Sequence, residues 1–175
     1  MKRISLLLVT VLVCMISSAQ VTWNVKAGAG FSSVRGDYVD NVTSKFGWKI
    51  GVGVEKPISA NWLIMPSLEY KEKGTRYDGG ASYYDIDYHF LQLPILGAYR
   101  IHLSDEINMT LKGGPYFAYE LGGEGQWDAG LLLGVDFEYH RFVLGAEYEY
   151  GMLSCEDVEG EVYNYGLYVT LGYKF

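Results

Sequence analysis

Residues 162–175 read VYNYGLYVTLGYKF. The odd positions, Tyr163, Tyr165, Leu167, Val169, Leu171, Tyr173 and Phe175, are apolar or aromatic, and between them stand Asn164, Gly166, Tyr168, Thr170, Gly172 and Lys174. A period of two places alternate side chains on opposite faces of a β-strand. Soluble strands usually run about 5–6 residues, whereas a tilted strand needs about 9–11 to cross a bilayer. The run from Val162 to Phe175 is long enough to do so. With an apolar aromatic at its final position, it reads as a lipid-crossing strand.

Working outward, the same alternation recurs seven times. It predicts strands over 24–32, 46–55, 62–73, 86–101, 107–119, 127–139 and 142–151. Phe46, Trp48, Ile50, Val52 and Val54 against Gly47, Lys49, Gly51, Gly53 and Glu55 is the cleanest case. Pro66 interrupts its strand, since proline cannot donate to the ladder, and predicts a bulge or an irregular pair. The stretch 86–101 is less regular, because Phe90-Leu91 and Ile95-Leu96 are doubled apolar steps. Connections 35–44, 74–85, 121–126 and 152–161 read as long and polar, and 56–61, 102–106 and 140–141 as short. They alternate around the chain, as the external loops and periplasmic turns of an outer-membrane barrel do. The expected fold is an all-β, eight-stranded antiparallel up-and-down transmembrane barrel with both termini periplasmic.

Charge decides which face is inside. Lys26, Lys49, Glu55, Glu69, Lys71, Arg100, Lys112, Asp136, Glu138, Glu147, Glu149 and Lys174 all fall on the non-apolar face. An Arg or Lys facing lipid at mid-depth costs about 2–4 kcal/mol, so these side chains are expected in the lumen. Eight strands leave an interior just wide enough for side chains, which predicts a sealed, charge-paired lumen rather than an open pore. Trp23, Trp48, Trp62 and Trp127 lie near strand ends, where aromatic girdles belong.

At the other end of the chain, Lys2-Arg3, the apolar run Ile4–Ile16 and Ser17-Ser18-Ala19 have the three parts of a secretory signal peptide. That run is well short of the roughly 20 residues of a membrane helix. The expected domains are a signal peptide at 1–19 and a barrel domain at 20–175. Loss of Lys2 and Arg3 takes the net charge from −7 to −9, which argues against nucleic acid as a partner. Cys14 would leave with the signal and Cys155 would remain alone, so no internal disulfide is expected.

Enzyme signatures are missing from the sequence. His89, His102 and His140 are scattered, and no HExxH, CxxC, Walker or GxSxG pattern occurs. The expectation is a protein with no catalytic, cofactor-binding or metal-binding residues and no cofactor. Asp37, Asp40, Glu156, Asp157, Glu159 and Glu161 in the long connections fit either a solvated rim or carboxylates taking divalent cations that bridge surface glycolipid. Tyr77, Tyr83 and Tyr84 fit either a contact surface or continued strands. Arg35-Gly36-Asp37 and the sequon Asn41-Val42-Thr43 are short enough to arise by chance.

VKAGAGFS at 25–32, LQLPILGAYR at 91–100, LKGGPYFAY at 111–119, GLLLGVDFEY at 130–139 and GLYVTLGYKF at 166–175 carry a resemblance. The chain resembles the PorT-like small outer-membrane barrels of Bacteroidetes-type bacteria and is similar in architecture to OmpA/OmpX-type barrels. The resemblance implies a monomer in outer-membrane lipid and surface glycolipid. It also implies recognition by the barrel-assembly machinery through Phe175 and Tyr173, and transfers no catalytic residue. Envelope structure or surface contact is the leading expectation for function. The alternative is a narrow channel or a component of a secretion complex. A soluble lipocalin-like barrel would require the opposite sorting, with apolar residues inside and charges outside.

Overall fold

The structure, a computed structural model, describes residues 21–36, 42–78, 83–122, 125–153 and 162–175. The segment 1–19, read as an export signal, and Asp37, Asp40, Asn41, Cys155, Glu156, Asp157, Glu159 and Glu161 lie outside the described residues. Eight strands follow in order: β1 (Thr22–Gly36), β2 (Val42–Pro57), β3 (Trp62–Asp78), β4 (Tyr83–His102), β5 (Ile107–Glu120), β6 (Trp127–Tyr139), β7 (Phe142–Gly151) and β8 (Val162–Lys174). Each pairs antiparallel with its sequence neighbours, and β8 closes on β1. Closure leaves no edge, as hydrocarbon requires.

Register fixes the tilt. The pairs Lys56–Ile64–Gly97–Gly113–Leu133–Tyr148–Leu167–Phe31–Phe46 run once round the wall and return to β2 ten residues from the start. An eight-stranded wall displaced by that much is inclined at roughly 40°, within the usual range for barrels. Alternation is strictest in β7, where exposed and buried residues succeed each other from Phe142 to Gly151.

The first two long connections are shorter than the sequence suggests. β3 and β4 stay paired out to Asp78↔Tyr83, so the backbone at Tyr77, Tyr83 and Tyr84 is strand rather than loop. β1 reaches Gly36 against Val162, taking Arg35 into the sheet. Hydrophobic alternation stops where lipid stops, but the backbone ladder does not depend on it and runs on to Asp78↔Tyr83. Pattern alone therefore understates these strands.

Pro66 proves to be an irregular pair, not a bulge. Pairing of β3 with β4 lapses between Pro66↔Ile95 and Glu69↔Gln92, opposite Pro94, and resumes in the same register. The register shift lies instead between Ser44 and Lys49 of β2. Ladder bonds to β3 are missing there, and Ser32 of β1 takes their place. Its Oγ accepts from the Gly74 N–H at 2.9 Å and donates to the Gly74 carbonyl at 3.1 Å.

Space inside is made by glycines. A Cβ on Gly30 would come within 2.0 Å of the Leu167 carbonyl and 2.8 Å of the Tyr168 ring. One on Gly130 would come within 2.1 Å of the Tyr150 carbonyl and 2.9 Å of the Tyr116 ring. Backbone contacts of this kind cannot yield, so Gly30→Val or Gly130→Val should destabilise the barrel by roughly 3 kcal/mol or block closure. Heat-modifiable electrophoretic mobility and urea unfolding in lipid vesicles will show the loss.

Candidate functional site

β-strand parity sends one residue in two to the lumen, and the lumen is where the ionisable groups converge. Three storeys follow the axis. At the outer end Lys71 pairs with Glu149, and Lys73 lies 3.0 Å from Asp128 and 3.4 Å from Glu149. Gln92 Nε2 donates to Glu149 at 3.1 Å, and the Tyr116 hydroxyl donates to Asp128 at 3.3 Å. The Lys71 ammonium stands 4.5 Å from the Tyr168 ring centre, and Lys73 4.9 Å from that of Tyr116.

In the middle storey Lys49 bridges Glu69 (3.2 Å) and Glu147. Lys112 bridges Glu147 and Asp136 (2.8 Å), and Lys26 reaches Asp136 at 3.0 Å. The inner storey joins Glu55 and Glu138 to Arg100 and Lys174, with Lys174 at 2.8 Å from Glu55 and 2.6 Å from Glu138. A recess between Lys26, Ser67, Glu69, Lys112 and Glu147 has a volume of about 20 Å³, enough for one water.

All twelve charges assigned to the interior from sequence are in it. Lys73 and Asp128 were on the correct face by parity but outside that charge set, and they complete the outer storey. The set then holds seven cations and seven carboxylates, so it neutralises itself. Beyond it, Glu120 at the outer mouth accepts from the Gln126 N–H. The chain's excess of acidic residues is therefore carried outside this network.

Sequence reasoning underestimated the apolar filling. Leu63, Met65, Phe90, Leu96, Ala98, Tyr116, Ala118 and Leu132 form one buried cluster along β3 to β6. Parity was the available signal, since each of these residues alternates with an outward neighbour. Tyr116, Leu132 and Tyr168 have no exposed surface, so the passage is closed by rings and aliphatic groups as well as by ion pairs.

The outer face is sorted the other way. Ile50, Leu68, Leu111, Leu133, Leu144, Val169 and Leu171 are exposed to lipid. Trp62 with Tyr99, and Phe142 with Tyr173 and Phe175, ring the periplasmic end. Phe31 with Phe46, Trp48 with Tyr70 and Tyr119 with Trp127 ring the outer end. The soluble, lipocalin-like alternative is excluded by this sorting.

The family's sequence profile matches residues 17–155. The chain belongs to the outer membrane protein beta-barrel domain family. Among solved structures it is similar to OprG from Pseudomonas aeruginosa, with 12% identity over 90% of this chain and 96% of that one, at a TM-score of 0.58. Neisserial surface protein A is similar at 17% identity over 87% and 97%, with a TM-score of 0.53. The outer membrane enzyme PagL is similar at 11% over 84% and 97%, with a TM-score of 0.51. No curated protein matches the chain. These likenesses establish a small eight-stranded outer-membrane barrel. Activity is a separate matter, since an enzyme shares the architecture.

Nothing in the described geometry assembles catalytic groups. His89 stacks on Tyr70, His102 Nδ1 lies 2.5 Å from Asn108 Oδ1, and His140 packs against Tyr139, each at a different place on the wall. Among the described residues no three His, Cys, Asp or Glu side chains are placed to hold a metal ion. The Arg35 guanidinium lies 3.9 Å over the Tyr150 ring, so the arginine of the 35–37 tripeptide packs on the wall.

Glu149→Leu would leave Lys71, fully buried, without its ion-pair partner. Removing one member of a buried pair typically costs about 3–5 kcal/mol, whereas an apolar replacement of both is near neutral. Glu149→Leu should lower stability by that amount, and Glu149→Leu/Lys71→Met should recover most of it in equilibrium unfolding.

Proposed function

We propose that this barrel is a rigid outer-membrane platform that works through its exterior, in surface contact and envelope structure. The observation that carries this reading is the lumen. Fourteen charges are engaged with one another there, and the remaining space is packed with Tyr116, Tyr168 and Leu132. Passage of a solute would require separating several desolvated ion pairs at once, each costly to break singly. Segments 37–41, 123–124 and 154–161 of the chain carry seven acidic residues and no basic one. Outer-membrane lipid bathes the wall, and the outer rim meets surface glycolipid.

Two finer assignments follow. The segment 1–19 acts as a cleavable export signal, on its charge and hydropathy pattern. Tyr173 and Phe175, whose rings pack 5.3 Å apart beside Phe142, serve as the assembly-machinery signal, since Phe175 is exposed at the end of the closing strand. Membership of the PorT-like group is supported by the quoted Gly-aromatic segments, and a part in secretion remains the rival role.

The purified barrel in a planar bilayer should give no stable, repeated conductance step. A reproducible step would favour the channel or secretion reading. Phe175→Ala should reduce outer-membrane assembly in cells while leaving refolding into vesicles intact, as read by heat-modifiable mobility in both settings.

A further inference from the structure

On β2, β3 and β4 the outward residues change character in order toward the outer end. Ile50, Leu68 and Leu91 are exposed aliphatics at the level of the hydrocarbon. Next come Trp48 and Tyr70, with ring centres 5.5 Å apart. Then come Glu72 and His89, directly opposite each other across the β3–β4 pair. Beyond them Lys45 is ion-paired with Asp87. Trp48 Nε1 donates to Glu72 Oε2 at 3.0 Å, and the His89 ring lies nearly parallel to Tyr70, 5.9 Å away. His89 Nδ1 is buried without a hydrogen-bond partner among the described residues, so a ligand hydroxyl would have to meet the ring at Nε2.

The adjoining wall, β5 and β6, differs. Tyr119 and Trp127 pack 5.0 Å apart at the same rim, and the next outward residue of that β5 edge is the exposed Leu121. An aromatic girdle alone accounts for that side. It does not account for a carboxylate and an imidazole set beside rings on a face turned away from the lumen.

We infer that Trp48, Tyr70, Glu72 and His89 form a binding platform for the saccharide headgroup of an outer-leaflet glycolipid, a site that deepens the surface-contact reading above and rests on it. Position selects the occupant. The platform faces laterally at the outer girdle, where the neighbouring molecules are lipids at headgroup depth. Chemistry agrees with it. Ring faces take the apolar C–H face of a sugar, while carboxylate and imidazole exchange hydrogen bonds with its hydroxyls. The sequence of aliphatic, aromatic, polar and ionic rows matches acyl chain, sugar and charged substituent in turn.

The test uses the full barrel in nanodiscs of phosphatidylethanolamine with or without a lipopolysaccharide truncated to its inner-core sugars. Native mass spectrometry should show the glycolipid retained in preference to the phospholipid. Trp48→Leu/His89→Leu should reduce that retention about tenfold, the order expected from losing one or two contacts of this kind. Tyr148→Leu/Tyr150→Leu, at exposed aromatics of β7 across the barrel from β3, should keep it. Equal retention of both lipids by the wild type, or equal loss in the two variants, overturns the site. Should a double variant fail to close, the Trp48 contribution to emission (wild type minus Trp48→Phe) gives a second reading. It should shift on adding glycolipid, and an unchanged spectrum overturns the proposal. A conductance step in the planar bilayer, by contrast, would sink the sealed-platform reading without touching this site.

Discussion

Hydrocarbon offers no partner to a backbone N–H or C=O, and every other feature of this molecule answers to that fact. Eight strands close because an open edge in lipid would leave a row of unpaired groups. Closure with a ten-residue displacement sets a narrow, steeply inclined wall. That wall divides each strand's residues into two populations with opposite solvents. The divide is sharp enough that Lys49 is buried and Ile50, its neighbour, is half exposed.

A lumen this narrow has to be filled, and how it is filled decides what the protein can do. Charges removed from water are tolerated only when paired, so the fourteen lumenal groups are held by mutual need rather than by net stabilisation. Glu147 serves both Lys49 and Lys112, and Asp136 serves both Lys112 and Lys26. Such shared partners make the middle storey a single unit, hard to open by displacing one side chain. Rigidity inside moves function to the exterior: the rim above the membrane and the flank where lipid headgroups lie.

Departures from regular pairing cluster where lipid no longer imposes a pattern. At the outer end β2 slips register between Ser44 and Lys49, and Ser32 bonds across to Gly74 in its stead. β3 and β4 run on together to Asp78 and Tyr83. On the flank just below, Glu72 and His89 interrupt the apolar face of the same two strands. Within the hydrocarbon layer the β3–β4 ladder lapses at Pro66 and Pro94 and the β4–β5 ladder lapses opposite Pro115, and the register survives both.

The alternation of residues by itself determined the strand count, the orientation of each face, the closed architecture and the membrane setting. It could do so because lipid and a packed lumen impose opposite demands on successive side chains, so a period of two is readable one strand at a time. Strand β6, read as 127–139, and β7, read as 142–151, needed no adjustment. Which lysine meets which carboxylate, where β2 slips, and that Trp48, Tyr70, Glu72 and His89 share one patch were decided only in three dimensions. Those features depend on register around the barrel and on contacts between residues far apart in the chain, and a single strand's pattern carries no information about its partner's offset.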